Sequence, residues 1–212
     1  GHGKAFMARD GVFDNIDLAL TWHPGDISAA AGFSTLAVYQ IYYNFKGVAS
    51  HAAIAPEQGR SALDAAELMN SGVQYLREHI VDSARIHYAF IDAGGTSANV
   101  VHPSASLHYY IRGKTLCEAK DIFERVKKVA KGAAMMTETE VEIVFDSAAI
   151  NYIPNKVLTT AMHENMSNYG SLDLTEEELE YERRYYDSLS KSEKESLYYR
   201  TKSFFPGLEE EE

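Results

Sequence analysis

The order of periodic segments between residues 36 and 147 predicts an α+β domain with a four-stranded antiparallel sheet and two helices on one face. The order is β-α-β-β-α-β, the ferredoxin-like arrangement. Three observations predict it. Residues 36–46 and 139–145 alternate as strands do, with Val38, Tyr39, Ile41, Tyr42, Tyr43 and Phe45 in the first and Val141, Ile143 and Phe145 in the second. Segments opening at Ser61 and Thr115 carry apolar residues at helical spacing behind a capping signal. Between those helices lie two further strands, 85–92 and 104–112, separated by a loop containing Gly94, Gly95 and Asn99.

Taken in order, residues 4–14 read as a helix that ends at Gly11 or soon after. Residues 16–22 read as a short buried strand that stops at His23-Pro24-Gly25, because proline cannot continue a ladder and glycine makes the turn. His23 then sits at a strand's C-terminal end, where α/β enzymes place site residues. The aromatic strand 36–46 is read as core and sheet surface. His51 follows in a run of small residues, Gly47 to Ala55, before Pro56 and Gly59. Small neighbours allow a backbone or a ligand to come close, which makes His51 a candidate to reach something.

Ser61 with Asp64 is a relative of the capping box. The helix it opens runs to about Ile80, with Ala62, Ala66, Met69, Val73, Leu76 and Ile80 inward. Gly94 and Gly95 serve positive φ or close approach. Thr115 with Glu118 forms a capping box for the second helix, which buries Leu116, Ala119, Ile122, Phe123, Val126, Val129, Ala130 and Ala133. After Pro154 the chain turns helical again. One helix carries Val157, Leu158, Ala161, Met162 and Met166, a second is capped by Thr175 with Glu178, and a third by Ser192 with Glu195. The inserted domain spans 33–150, between segments 1–32 and 151–212 of another unit. Its sheet keeps two edges, and an uncovered edge is a route to pairing with a second chain.

Composition narrows the function classes. The 212 residues are 45% hydrophobic and 24% charged, enough to bury a core. A net charge of −11 argues against nucleic acid as a partner. No apolar run approaches a membrane span, and no basic-then-apolar leader precedes the first helix. The single cysteine, Cys117, excludes an internal disulfide framework and a cysteine-rich metal site. It fits a reducing, cytoplasmic location and reads as structural. From Asp173 onward there are 13 acidic residues against 6 basic, so the tail is expected to be solvated.

The motifs together resemble the zinc-dependent amidohydrolases of the aminoacylase and glutamate-carboxypeptidase type. The matching stretches include Gly11-Val12-Phe13-Asp14, Ala19-Leu20-Thr21-Trp22-His23-Pro24 and the run from His51 to Asp64. Gly94-Gly95, Asn99-Val100-Val101, Tyr110-Ile111-Arg112, residues 132–137 and Pro154-Asn155 complete the set. The resemblance implies a catalytic domain with two metal ions and an inserted ferredoxin-like lid that dimerises. It implies hydrolysis of the amide bond of an N-acyl amino acid.

By the same resemblance His23 is a metal ligand, for zinc or manganese. His51 is the lid histidine that reaches a partner subunit's site and donates to the oxyanion. Asn99 and Arg112 bind the substrate carboxylate. The expected assembly is a homodimer through the lid's sheet edge or helices. The sequence departs from the complete pattern in lacking a Glu-Glu pair before His23 and any Cys-x-His or His-x-Asp motif. It therefore reads as the middle of a longer protein, cut just after the catalytic Glu pair, with no metal bound and no activity alone. The alternative is a non-enzymatic ferredoxin-like module for dimerisation or ligand binding.

Overall fold

The computed structural model describes residues 3–24, 28–170 and 174–204. The chain divides into two units, one formed by residues 1–11 and 35–152, the other by 12–34 and 153–212. The first unit contains helix α1 (Gly3–Arg9), which buries no residue, and the predicted β-α-β-β-α-β domain. Its elements are β1 (Ala37–Lys46), β2 (Ser50–His51), α2 (Ala62–Arg77), β3 (Arg85–Asp92), β4 (Val100–Val101), β5 (Ser104–Gly113), α3 (Leu116–Met136) and β6 (Glu140–Ala149). The main sheet has the order β3-β5-β1-β6, and every neighbouring pair is antiparallel. The four principal strands and both helices stand where the periodicity put them.

The core lies between the sheet and the two helices. Alternate residues of β1 (Ile41, Tyr43, Phe45) and of β5 (Ala105, Leu107, Tyr109, Ile111) are buried against Ala62, Ala65, Ala66, Met69 and Val73 of α2. Ile122, Val126, Ala130, Ala133 and Ala134 of α3 close the layer. Both helices start on a cap. The Ser61 hydroxyl accepts from the Asp64 amide at 3.1 Å, and the Thr115 hydroxyl accepts from the Glu118 amide at 3.2 Å. The expected box at Thr115 is altered, because the Glu118 carboxylate takes the amide of Lys114, one residue earlier.

At its other end α3 closes with a Schellman motif. The Thr139 amide donates to the Ala134 carbonyl at 2.9 Å, and the Glu138 amide to the Met135 carbonyl at 3.4 Å. That motif needs a left-handed residue between, a place that glycine usually fills. Here it is Glu138, with φ 54°, the one non-glycine residue of positive φ among the described residues. The backbone cost is about 1 kcal/mol.

One polar pair is enclosed in the core. The Tyr109 hydroxyl donates to Asn70 Oδ1 at 2.5 Å, and the rings of Tyr43 and Tyr88 pack on Tyr109 at 5.3 and 5.1 Å. Replacing Tyr109 with Phe leaves the buried Asn70 amide without this donor. The expected loss is about 1–2 kcal/mol, read as a lower denaturant midpoint at unchanged slope.

Burial pushes both phenols, Tyr43 and Tyr109, well above the usual tyrosine range. A raised acid is stabilised in its neutral form, so this contribution is complete below the unfolded value of about 10 and is lost as pH rises past it. Unfolding of the first unit is therefore expected to set in above about pH 10. Phenolate absorbance at 295 nm would then show two slow tyrosines that ionise only as the unit unfolds.

The second unit holds α4 (Lys156–Tyr169), α5 (Glu176–Ser188) and α6 (Lys191–Phe204). Asn155 caps α4, and Thr175 with Glu178 forms a complete capping box on α5. The third cap differs from expectation. Ser190, two residues before Ser192, accepts from the Glu193 amide, and Glu193 returns to Ser190. Residues 16–22 do not form the expected strand. Ile16, Leu18, Leu20 and Trp22 are exposed, Trp22 at 83%. A buried strand exists only where neighbours complete its ladder, and among the described residues none pairs with this one. The acidic end from Glu209 lies outside the described residues.

Candidate functional site

The loop from Gly47 to Arg60 is closed at its base. The Val48 and Arg60 amides each donate to the other's carbonyl at 2.9 Å. The Gly47 amide donates to the Pro103 carbonyl at 2.8 Å, and the Ala62 amide to the His102 carbonyl at 2.9 Å. Inside the loop β2 pairs with β4, with Ser50 opposite Val101 and His51 opposite Val100. The next bond, from the Ala52 amide to the Asn99 carbonyl at 2.9 Å, brings Asn99 beside His51. These two residues, 48 apart in sequence, thus share one small ribbon at the end of the main sheet.

The imidazole of His51 is exposed, and its tautomer is fixed. The Ala53 amide donates to His51 Nδ1 at 3.2 Å, so Nδ1 is the acceptor and the neutral ring carries its proton on Nε2. The His51 carbonyl accepts from Ile54 and Ala55, which turns the chain away behind the ring. A neutral histidine with a defined Nε2–H is a donor suited to developing negative charge on oxygen. The loop bearing Asn99 is pinned from the opposite side. Asp92 accepts from the Gly94 amide at 2.9 Å and from the Ser104 hydroxyl at 3.1 Å. His102 Nδ1 donates to the Gly94 carbonyl at 3.0 Å. Gly94 and Gly95 both have positive φ, 86° and 111°, as their backbone reading required.

Arg112 lies elsewhere. It is on the sheet face opposite the helices, near the far end of β5, its guanidinium 5.6 Å from the Tyr110 ring centroid. Eight residues of strand, about 25 Å, separate it from Ser104 at the ribbon end. One small carboxylate does not touch both Asn99 and Arg112 of a single protomer. The same face carries Tyr42 and His108, stacked at 4.1 Å, with His108 Nε2 4.0 Å from an Asp146 oxygen.

His23 belongs to the second unit, in an exposed segment without strand pairing. Its Nδ1 donates to the Pro24 carbonyl at 2.8 Å, which leaves the Nε2 lone pair outward, the form a metal ligand needs. Among the described residues no three His, Cys, Asp or Glu side chains stand close enough to hold a metal. His23 by itself does not make a zinc or manganese site, since such sites take at least three protein ligands. Cys117 is free and exposed at the start of α3. No helix among the described residues is long and apolar enough to cross a membrane.

A four-stranded antiparallel sheet, two helices on one face and a histidine ribbon at the sheet end define the class: an α+β domain of ferredoxin-like order with a histidine at its rim. Residues 32–136 match the family model described as peptidase dimerisation domain. Through that segment the chain belongs to the peptidase dimerisation domain family.

It is 44% identical over 196 residues to the B subunit of p-aminobenzoyl-glutamate hydrolase of Escherichia coli K12, covering 92% of this chain and 41% of the relative. Xaa-Arg dipeptidase of Mus musculus is 32% identical over 180 residues, 84% of this chain and 41% of the relative. A crystal structure of aminobenzoyl-glutamate utilization protein from Klebsiella pneumoniae superposes with a TM-score of 0.57 at 30% identity, covering 74% of this chain and 41% of that one. The chain thus spans about two fifths of the length of these relatives.

Proposed function

We propose that the chain is the lid and dimerisation segment, residues 33–150, together with flanking catalytic-domain pieces, 1–32 and 151–212, of a metal-dependent amidohydrolase. The substrate is an N-acyl amino acid such as p-aminobenzoyl-glutamate, and the enzyme works in the cytoplasm. The observation that carries this reading is the His51 ring, held by the Ala53 amide with its Nε2–H outward on the ribbon shared with Asn99. The similarity to a hydrolase and a dipeptidase supports it.

In this reading His51 donates to the carbonyl oxygen as the amide carbon becomes tetrahedral. Asn99 and Arg112 bind the substrate carboxylate, each from a different protomer. A divalent metal, zinc or manganese, belongs to the same reading, and His23 offers it one ligand. The partner is a second copy, joined through one of the two open sheet edges, β3 or β6, or through the helices. The relatives include both the B subunit of p-aminobenzoyl-glutamate hydrolase and, at 28% identity, the A subunit, so a related second chain is the other assembly to test for.

The experiment is hydrolysis of p-aminobenzoyl-glutamate by the full-length protein containing this chain, before and after chelation. The expected result is activity that chelation abolishes and zinc or manganese restores. No hydrolysis of this or other N-acyl amino acids by the metal-loaded protein would overturn the reading.

A further inference from the structure

We propose that Glu138 and Arg60 are positioning residues that hold the His51 loop in register with the turn between α3 and β6. The proposal rests on the catalytic reading of His51 for its kinetic consequence, though not for its structural one. Arg60 closes the loop at its base through the paired bonds with Val48. Its side chain then binds three oxygens. Nε donates to Glu138 Oε2 at 2.7 Å, and Nη1 donates to the carbonyls of Gly59 at 2.7 Å and Glu57 at 3.1 Å. The guanidinium therefore clamps the 3-10 turn Pro56–Gln58, which follows His51, and fastens it to a residue 78 positions away.

Glu138 is an unexpected occupant of its own position. It fills the left-handed place of the Schellman motif, where glycine would carry no strain. A carboxylate is also unfavourable beside a helix C-terminus, where carbonyl oxygens already concentrate negative charge. Both penalties have one compensation among the described residues, the bond to Arg60. Exposed ion pairs contribute little to global stability, and here Arg60 is 37% exposed and Glu138 71%. A pair of this kind, kept at a strained position, is better explained by what it aligns. What it aligns is the loop that carries the His51 ring and the Ala53 amide that sets its tautomer.

Two variants separate alignment from stability. Glu138→Asn tolerates the left-handed backbone and is one methylene too short for Arg60, whereas Glu138→Gly removes the strain and the carboxylate together. In the 212-residue chain, amide hydrogen exchange at Val48, Ala52, Ala53 and Arg60 is expected to quicken about tenfold in both variants. Core amides of β1 and β5 should stay unchanged, and Glu138→Gly should melt no lower than the parent. In the full-length enzyme both variants should lower kcat about tenfold with little change in KM, and have no effect when His51 is already Ala. Unchanged exchange at all four amides would overturn the proposal. Altered exchange with no kinetic effect, where His51→Ala also has none, would leave the clamp standing and sink the catalytic role of His51 instead.

Discussion

On the proposed amidohydrolase reading, replacing His51 with Ala in the full-length protein is expected to lower kcat by about 10²–10³-fold while KM changes little. The ring's own hydrogen bonding sets this expectation. Nδ1 is already used as acceptor for the Ala53 amide, so the ring can offer only Nε2–H to substrate. A donor placed for an oxygen that becomes negative acts in the transition state more than in the ground state, and its loss therefore appears in kcat. Metal content and the melting temperature should be unaltered, because the side chain is exposed and packs on nothing in the core.

A mixed-subunit experiment tests which site His51 serves. On the proposed reading of a homodimer with His23 on the metal, pair His51→Ala with a His23→Ala protomer, each nearly inactive as a homodimer. If His51 acts across the dimer, the hybrid owns one complete site, and a statistical mixture regains about a quarter of the parent activity. If His51 acts within its own protomer, both sites of the hybrid stay broken and nothing is regained. A His51→Ala enzyme with unchanged kcat would remove His51 from the chemistry altogether.

The sheet and its two helices are legible in the sequence because each is long enough for a period to show. Val141-Ile143-Phe145 and the apolar face from Ala119 to Ala134 repeat often enough to overcome individual exceptions. The capping boxes are legible for the same reason of local chemistry, and where they slip, as from Ser192 to Ser190, two serines offer the same hydroxyl two positions apart. The segment 16–22 misleads because an apolar run records only that a strand would be buried. It cannot record whether partner strands are present to complete the ladder.

The site is legible in part. His51 and Asn99 announce themselves by their motifs, yet the β2–β4 ribbon that joins them is two residues long on each side and carries no period. The Arg60–Glu138 bond leaves no local trace at all. The one available signal is negative. Thr137-Glu138-Thr139 follows a long helix without the glycine that normally ends one, so the left-handed turn there goes unseen.

Substituting Gly47 with Ala is expected to cost as much as any single methyl group in the first unit. A Cβ at Gly47 would run into the carbonyl oxygen of Arg60 and stand 3.1 Å from the Ala62 amide nitrogen. Both obstacles are backbone, so no rotamer change can make room. The strand end or the Val48–Arg60 pairing must move instead, and forced overpacking of this kind costs about 1–3 kcal/mol. The displacement falls on the base of the His51 loop, where the Gly47 amide is also held by the Pro103 carbonyl. Activity of the full-length enzyme should therefore fall toward that of His51→Ala, well beyond what the lost stability explains at assay temperature.

Gly132 supplies the control. It lies within α3, and an added Cβ there meets nothing within 4 Å. Gly132→Ala should stabilise by about 0.5–1 kcal/mol through helix propensity and leave kcat alone. Thermal melts and kcat for the two variants together decide the matter. If Gly47→Ala melts with the parent and keeps its kcat, close backbone approach at the foot of the loop does not position His51.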